Sequence, residues 1–421
     1  MDIREKYRHA LAGCLETEPG SIGLFWKGRV GLYAILRALG VGEGDEVILP
    51  AFTCVVVPNA ILYLGAKPVY IDVDPLTFNL DAGLLEGAIT PNTRAILAQN
   101  TFGLSADMDL ILKVAQKYKI RVIEDCTHGF GGAYRGKING TLADASFFST
   151  QWNKPFSTGW GGFTVVRDAE LAAKVRELEE SMAHPSARQE RMLAAQIWAR
   201  KNLLTPALYW PVLRLYRKLS HWGAIPGSSE ASELHTTTMP RDYLMAGGRT
   251  QAREGLVQLQ RFSQIQQRRT ELAAQYDRLM QELGFPAVFV PPHIAHSYLK
   301  YPLLVRDRNY FFELAERHRI RLGDWMLSPI HPVEGEWEKW GYRAGSCPVG
   351  ERLSRHVVNL LTDLDMGEKE IARTQAFLRR YAGNCWCRAG HCISRSSLSM
   401  SSINLSTDFA SVPSQNERTL R

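Results

Sequence analysis

The sequence predicts an α/β fold: a large domain with a mostly parallel sheet covered by helices, then a smaller α+β domain. Three observations predict it. Short apolar runs alternate with helical periods between about residues 29 and 166, the spacing at which strand–helix–strand crossovers build parallel sheets. Most of those runs are continuously apolar, as strands buried on both faces are. The chain has 421 residues and 45% hydrophobic content, enough for one large core and a smaller partner.

The elements follow in order. Arg29 to Leu39 has helical periodicity, and Gly40 stops it. Val47-Ile-Leu49 is a strand ended by Pro50, and residues 54–64 predict a helix. Pro68 to Val73 predicts a strand closed by Asp74-Pro75, and Arg94 to Ala98 another. Asp107 to Lys119 predicts a helix. Arg121 to Asp125 is a strand ending in two acids, with further strands at Ala145 to Ser149 and Phe163 to Val166. A helical, Trp-rich, Pro-interrupted stretch spans roughly 180–222, where Trp198, Trp210 and Trp222 are expected to face a core. Gly223 to Thr238 reads as a polar loop, and residues 249–284 as one long helical repeat. Leu299 to Val305 is strand-like, 309–318 helical, and a mixed segment runs from Ile320 to Trp325. The expected large domain is 1–248, with an insertion at about 180–240, and the long helix and smaller domain occupy 249–382. Residues 383–421 hold nine Ser in 39 positions without periodicity and read as a disordered tail. No internal repeat is present.

Composition excludes several classes. Net charge is +7, but Arg188 to Trp222 alone carries seven basic residues against one acid, Glu190. The remainder is near neutral, which argues against a nucleic-acid-binding protein and leaves a local basic surface for phosphate groups or an acidic surface. No run of 18 apolar residues exists, and the charged opening Met1 to Lys6 lacks an apolar h-region. Seven cysteines make an odd, scattered set, so a cytoplasmic protein without a disulfide framework is expected. Cys385, Cys387, His391 and Cys392 match no standard zinc spacing, and no metal is expected. No G-x-G-x-x-G follows a strand, and neither a P-loop nor a G-x-S-x-G elbow occurs.

Ligands of parallel sheets bind beyond the carboxyl ends of the strands, where Asp125 and Ser149 stand. Lys154 follows Ser149 by five residues, ahead of Gly159-Trp-Gly-Gly162. A lysine there projects into the crevice, and partial desolvation favours its nucleophilic amine; the alternative is a surface lysine. Asp125 suits a protonated ring nitrogen, or a helix N-cap or structural ion pair. Glu124 points to the opposite face by strand alternation. Gly28-Arg29 precedes a helix beginning near residue 30, whose N-terminal N–H groups make an anion site, with Arg29 or Ser149 adding donors. His128 either touches a cofactor ring oxygen or serves as a core or capping histidine.

Taken in order, these pieces resemble the sugar aminotransferases of pyridoxal phosphate (PLP) fold type I, the DegT/StrS group. The matching stretches are Gly44 to Pro50, Gly65 to Asp74, Ile89 to Ala95, Gly103 with Ala106 to Asp109, Val122 to Asp125, and Ser149 to Lys154. Gln258-Leu259, Cys347-Pro348 and Val357 to Leu360 add to them. The resemblance implies that Lys154 is the Schiff-base lysine, that Asp125 pairs with the pyridine nitrogen, and that Ser149, Gly28 and Arg29 grip the phosphate. It places His128 where the group often has Gln, beside the ring, and Cys54 where it often has an aromatic residue. The group's Asn-x-Arg loop has no clear match in Asp242 to Gly248. Implied too are a homodimer and amino transfer, with glutamate as donor, to a keto group on a nucleotide-linked sugar in polysaccharide biosynthesis. A lipid- or carrier-linked keto substrate met at a membrane surface through 188–222, or a non-catalytic regulatory relative, are the alternatives.

Overall fold

Val47 and Leu49 pack into one hydrophobic layer, and Ile48 between them into another. The same split separates Ala95 and Leu97 from Ile96 and Ala98, and Ile123 from Val122. Side chains alternate across a strand, so a run that is apolar at every position requires cover on both faces. The computed structural model, which describes residues 1–203 and 231–385, supplies that cover. Helices α2 (Gly28–Ala38) and α3 (Val56–Leu62) lie in the first layer. Helix α4 (Met108–Tyr118), capped by the Asp107 carboxylate on the N–H of Leu110, lies in the second. Fully burying each Val, Leu or Ile of these layers contributes roughly 1.5–3 kcal/mol.

The main sheet has seven strands: β1 (Ile22–Phe25), β2 (Glu46–Pro50), β3 (Lys67–Ile71), β4 (Thr93–Gln99), β5 (Arg121–Asp125), β6 (Ala145–Ser149) and β7 (Gly162–Val166). Their spatial order is β1-β7-β6-β5-β4-β2-β3. Strand β7 runs antiparallel to both its neighbours, and the other pairings are parallel. The sheet is thus mostly parallel, as expected. A second sheet joins Tyr301–Leu304, Val357–Leu360 and Leu322–Gly323. Against it pack Tyr276, Leu279 and Met280 of a long helix, and Phe377 and Leu378 of the helix Glu368–Tyr381.

The structure departs from the sequence expectations at several points. The 249–284 repeat is two helices, Arg249–Gln260 and Phe262–Glu282, broken at Arg261, whose backbone leaves helical values at φ −102°, ψ 0°. Part of the expected 223–238 loop, Ala231–His235, is helical. Further elements carry no assignment from sequence, among them β1, the N-terminal helix α1 (Ile3–Leu15), the helix Ala169–Ser181 and the helix Glu368–Tyr381. Trp198 does not face a core. Helix Ala187–Leu203 buries only Leu193 and Ile197, one turn apart, against Trp26, Trp160 and Met245. Trp198 is rotated ~100° from Ile197 and is 62% exposed. Trp210, Trp222, Arg214, Arg217 and Lys218 lie outside the described residues, as do 386–421 of the expected tail. Among the described residues no helix is long and apolar enough to cross a membrane, and no metal-ligand cluster forms. The five described cysteines are free thiols.

Candidate active site

Four strand ends meet at one end of the main sheet. Gly162, at the start of β7, pairs with Ser149 on one side and Phe25 on the other, and Asp125 lies beside Phe147. Helix α2 begins immediately above, at Gly28. A Cβ on Gly28 would stand 2.7 Å from the Phe148 carbonyl and 3.1 Å from Ser149 Cα. Only glycine lets this helix terminus approach so closely, so its N–H groups and dipole are delivered to the strand ends. Gly28, Arg29, Asp125, His128, Ser149 and Lys154 all line one cleft of about 1860 Å³.

The loop carrying Lys154 is tied at both ends. Thr158 N–H donates to the Thr150 carbonyl (2.8 Å), Thr150 N–H to Gly161 (2.9 Å), and Thr158 Oγ1 to Trp160 (2.6 Å). Gly159, at φ +81°, turns the chain where L side chains are disfavoured. Within this frame Lys154 is 9% exposed, and its ammonium lies 4.4 Å from the centre of the Trp325 ring. Burial lowers its pKa to about 8; Cys54 and Asp125 oppose that shift, and Lys300 and Arg29 add to it. Its free-amine fraction therefore grows with pH. Borohydride-trapped labelling of Lys154 by an aldehyde, read by mass spectrometry, is expected to rise roughly tenfold per pH unit and to level off above about 8.

Asp125 is buried and accepts the N–H of Thr127 (2.9 Å). Burial raises its pKa, while the Thr127 hydrogen bonds and the Lys154 charge pull it back. Glu124 serves the structure instead. It accepts N–H groups from Gly140 (2.9 Å), Leu142 (2.8 Å) and Ala143 (3.1 Å) behind the sheet. His128 is buried, and its Nδ1 accepts the N–H of Phe102 (3.2 Å). Burial, then the charges of Lys154, Lys300 and His331, push its pKa well below 6.5, so the imidazole is neutral and Nε2–H is its donor. The Arg29 guanidinium is ion-paired with the buried carboxylate of Glu233, and Ser149 Oγ accepts the N–H of Gln151 (3.4 Å). Cys54 lines the cleft, with no ring in its place.

Sequence reasoning missed three cleft residues. Trp325 meets His128 edge-on at 5.2 Å. Arg269 donates to the carbonyls of Pro155 (2.8 Å) and Lys154 (3.5 Å). Lys300 is 3% exposed. Its position at the head of an apolar strand was the one available signal; a charge there needs a reason to be buried.

A buried amine and a buried carboxylate below a helix N-terminus, on a mostly parallel sheet, define a recognisable site. The DegT/DnrJ/EryC1/StrS aminotransferase family profile matches residues 26–198 and 245–379. The chain belongs to the DegT/DnrJ/EryC1/StrS aminotransferase family. Its similarity to GDP-perosamine synthase of Caulobacter vibrioides is 45% identity over 161 residues, 38% of this chain and 43% of that protein. With UDP-2-acetamido-2-deoxy-3-oxo-D-glucuronate aminotransferase of Pseudomonas aeruginosa it shares 41% identity over 191 residues, 44% of this chain and 52% of that one. These two matches span about half the length of the relatives. A longer match is the spore coat polysaccharide biosynthesis protein SpsC of Bacillus subtilis, 33% identical over 347 residues, 81% of this chain and 80% of that protein. The DegT/DnrJ/EryC1/StrS fold is shared with the aminotransferase TlmJ of Streptoalloteichus hindustanus, at TM-score 0.71 and 22% identity over 91% of each chain. It is shared also with a Streptococcus pneumoniae protein solved in its PLP form, at TM-score 0.68 and 20% identity over 91% of this chain and 92% of that one.

Proposed function

We propose that the protein is a PLP-dependent aminotransferase that moves an amino group, with glutamate as donor, onto a keto group of a nucleotide-linked sugar. The observation that carries this reading is the buried Lys154 amine, of lowered pKa, beside the buried Asp125 in one cleft. The names of relatives that act on GDP- and UDP-linked sugars support the substrate class.

The residues present fit the coenzyme. The α2 terminus at Gly28, brought against Ser149, suits a phosphate. Asp125 suits a ring N–H, Lys154 an aldehyde, and the Nε2–H of neutral His128 a ring oxygen. Arg29 contributes to the phosphate cradle through its place in the first turn, its guanidinium being held by Glu233. When bound, PLP supplies the electron sink for negative charge at the donor carbon. Asp125 keeps the ring nitrogen's proton in place as a charge-assisted hydrogen-bond acceptor. The Lys154 amine takes a proton from the amine-bearing carbon of the donor and later returns one, as general base and then acid. A pKa of about 8 suits both roles near neutral pH. Trp325 walls the amine on its other side.

In the same reading residues 1–248 bind the coenzyme and 249–382 form the smaller domain. The protein is a cytoplasmic homodimer, consistent with its free thiols. A lipid- or carrier-linked keto substrate is the second reading, favoured by exposed Met192 and Trp198 on a basic helix. One experiment separates the two: nitrogen-labelled glutamate, a panel of keto-sugar nucleotides and a lipid-linked keto acceptor, with products read by mass spectrometry. Label is expected in a sugar nucleotide. Label confined to the lipid-linked acceptor overturns the first reading in favour of the second.

A further inference from the structure

The cleft holds two buried cationic side chains with unused donors. Lys300 is 97% buried, and among the described residues its ammonium makes no hydrogen bond or ion pair. Burying an ammonium without a contact partner is costly, and such a group points to a ligand that supplies one. Its position is built rather than incidental. The N–H of Lys300 donates to the carbonyl of Phe102 (3.2 Å), whose own N–H donates to His128. Ser297 Oγ donates to the carbonyl of His128 (3.0 Å), and Thr362 Oγ1 to those of Tyr298 (2.7 Å) and Leu299 (3.0 Å). The segment 297–300 is thus pinned to the wall that carries His128. Arg269 is the second cation. Its terminal nitrogens hold the Lys154 loop, while its buried Nε–H has no partner among the described residues.

Asp363 is the carboxylate that both cations act on, holding it low against the effect of burial, yet it forms no ion pair with either. Around Lys300 the charges of Arg269 and Arg200 add to its own, and Asp363 and Asp324 oppose them; three cations and two carboxylates leave a single positive charge, which matches a monoanion. Position narrows the choice further. Lys154 and His128 both feel the charge of Lys300. In an amino-acid donor the carboxylate is one bond from the carbon that must reach Lys154. In a nucleotide-linked sugar the diphosphate is several bonds from the keto carbon and belongs nearer the mouth, where exposed Arg261 stands.

We propose that Lys300 is the subsite for the carboxylate of the amino donor. This rests on the aminotransferase reading above. The test uses the coenzyme-loaded protein and two unreactive probes, glutarate and inorganic diphosphate, with binding measured by calorimetry. In Lys300→Gln the glutarate Kd is expected to rise roughly 10- to 100-fold, the loss of one charged hydrogen bond. The diphosphate Kd should stay unchanged, and Lys300→Arg should recover most of the glutarate affinity. Should the Gln variant not fold, Lys300→Met gives the same reading. Undiminished glutarate binding by the variant, absent glutarate binding by the wild type, or a loss confined to diphosphate each overturns the proposal. Borohydride trapping on Lys154 in the same samples reports separately on the aminotransferase reading, and its absence in the wild type overturns that instead.

Discussion

Lys154→Ala is expected to lower amino transfer by about 10⁴-fold or more, the upper range of a positioned proton-transfer group, and to abolish borohydride trapping of the coenzyme. Both effects come from one atom. The variant loses the amine that captures the aldehyde and the base that moves the proton. Single-turnover kinetics and intact mass check the two separately. Stability provides the control. The folded pKa of about 8 lies below the 10.5 of a free lysine, so keeping this lysine charged costs the fold stability below about pH 8. That cost fades as pH rises toward the unfolded value. Alanine removes it, so the variant should melt no lower than wild type at neutral pH. Turnover that persists unchanged would remove Lys154 from the mechanism.

Asp125→Asn is the second large effect, with an expected loss of roughly 10²- to 10³-fold in rate, typical of deleting one preorganised electrostatic contact. Asparagine is nearly isosteric and keeps an oxygen to accept the Thr127 N–H, so geometry is preserved while the negative charge goes. The ring nitrogen then loses the partner that holds its proton. Coenzyme attachment to Lys154, read by trapped mass, should persist while the rate of amino transfer falls. A variant that turns over at the wild-type rate would show that Asp125 does not face the ring nitrogen.

Sequence made the interior of the main sheet legible because strands covered on both faces have no polar positions to confuse them. Val47 to Leu49 and Val122 to Ile123 are of this kind. Strand β1 escaped because four residues, Ile22–Phe25, are too few to display any period. The reversal of β7 escaped because residue content does not encode direction: Gly162–Val166 would read the same in a parallel strand. Helix Ala169–Ser181 was within reach, since Asp168 caps the N–H of Leu171 and Leu171, Ala172 and Val175 form a buried stripe. In the site, Asp125 and Lys154 stood out because the first ends a strand and the second follows one closely. Arg269, Lys300 and Trp325 come from more than 100 residues further along and join them only through tertiary packing.

The grip of Arg269 on the carbonyls of Pro155 and Lys154 ties the reactive lysine to the helix Phe262–Glu282. That helix packs against the second sheet through Tyr276 and Leu279. The amine is therefore geared to a lever rooted in the other half of the molecule. Any tilt of that lever carries the loop with it, so closure over a substrate and the aim of the nucleophile would be a single movement.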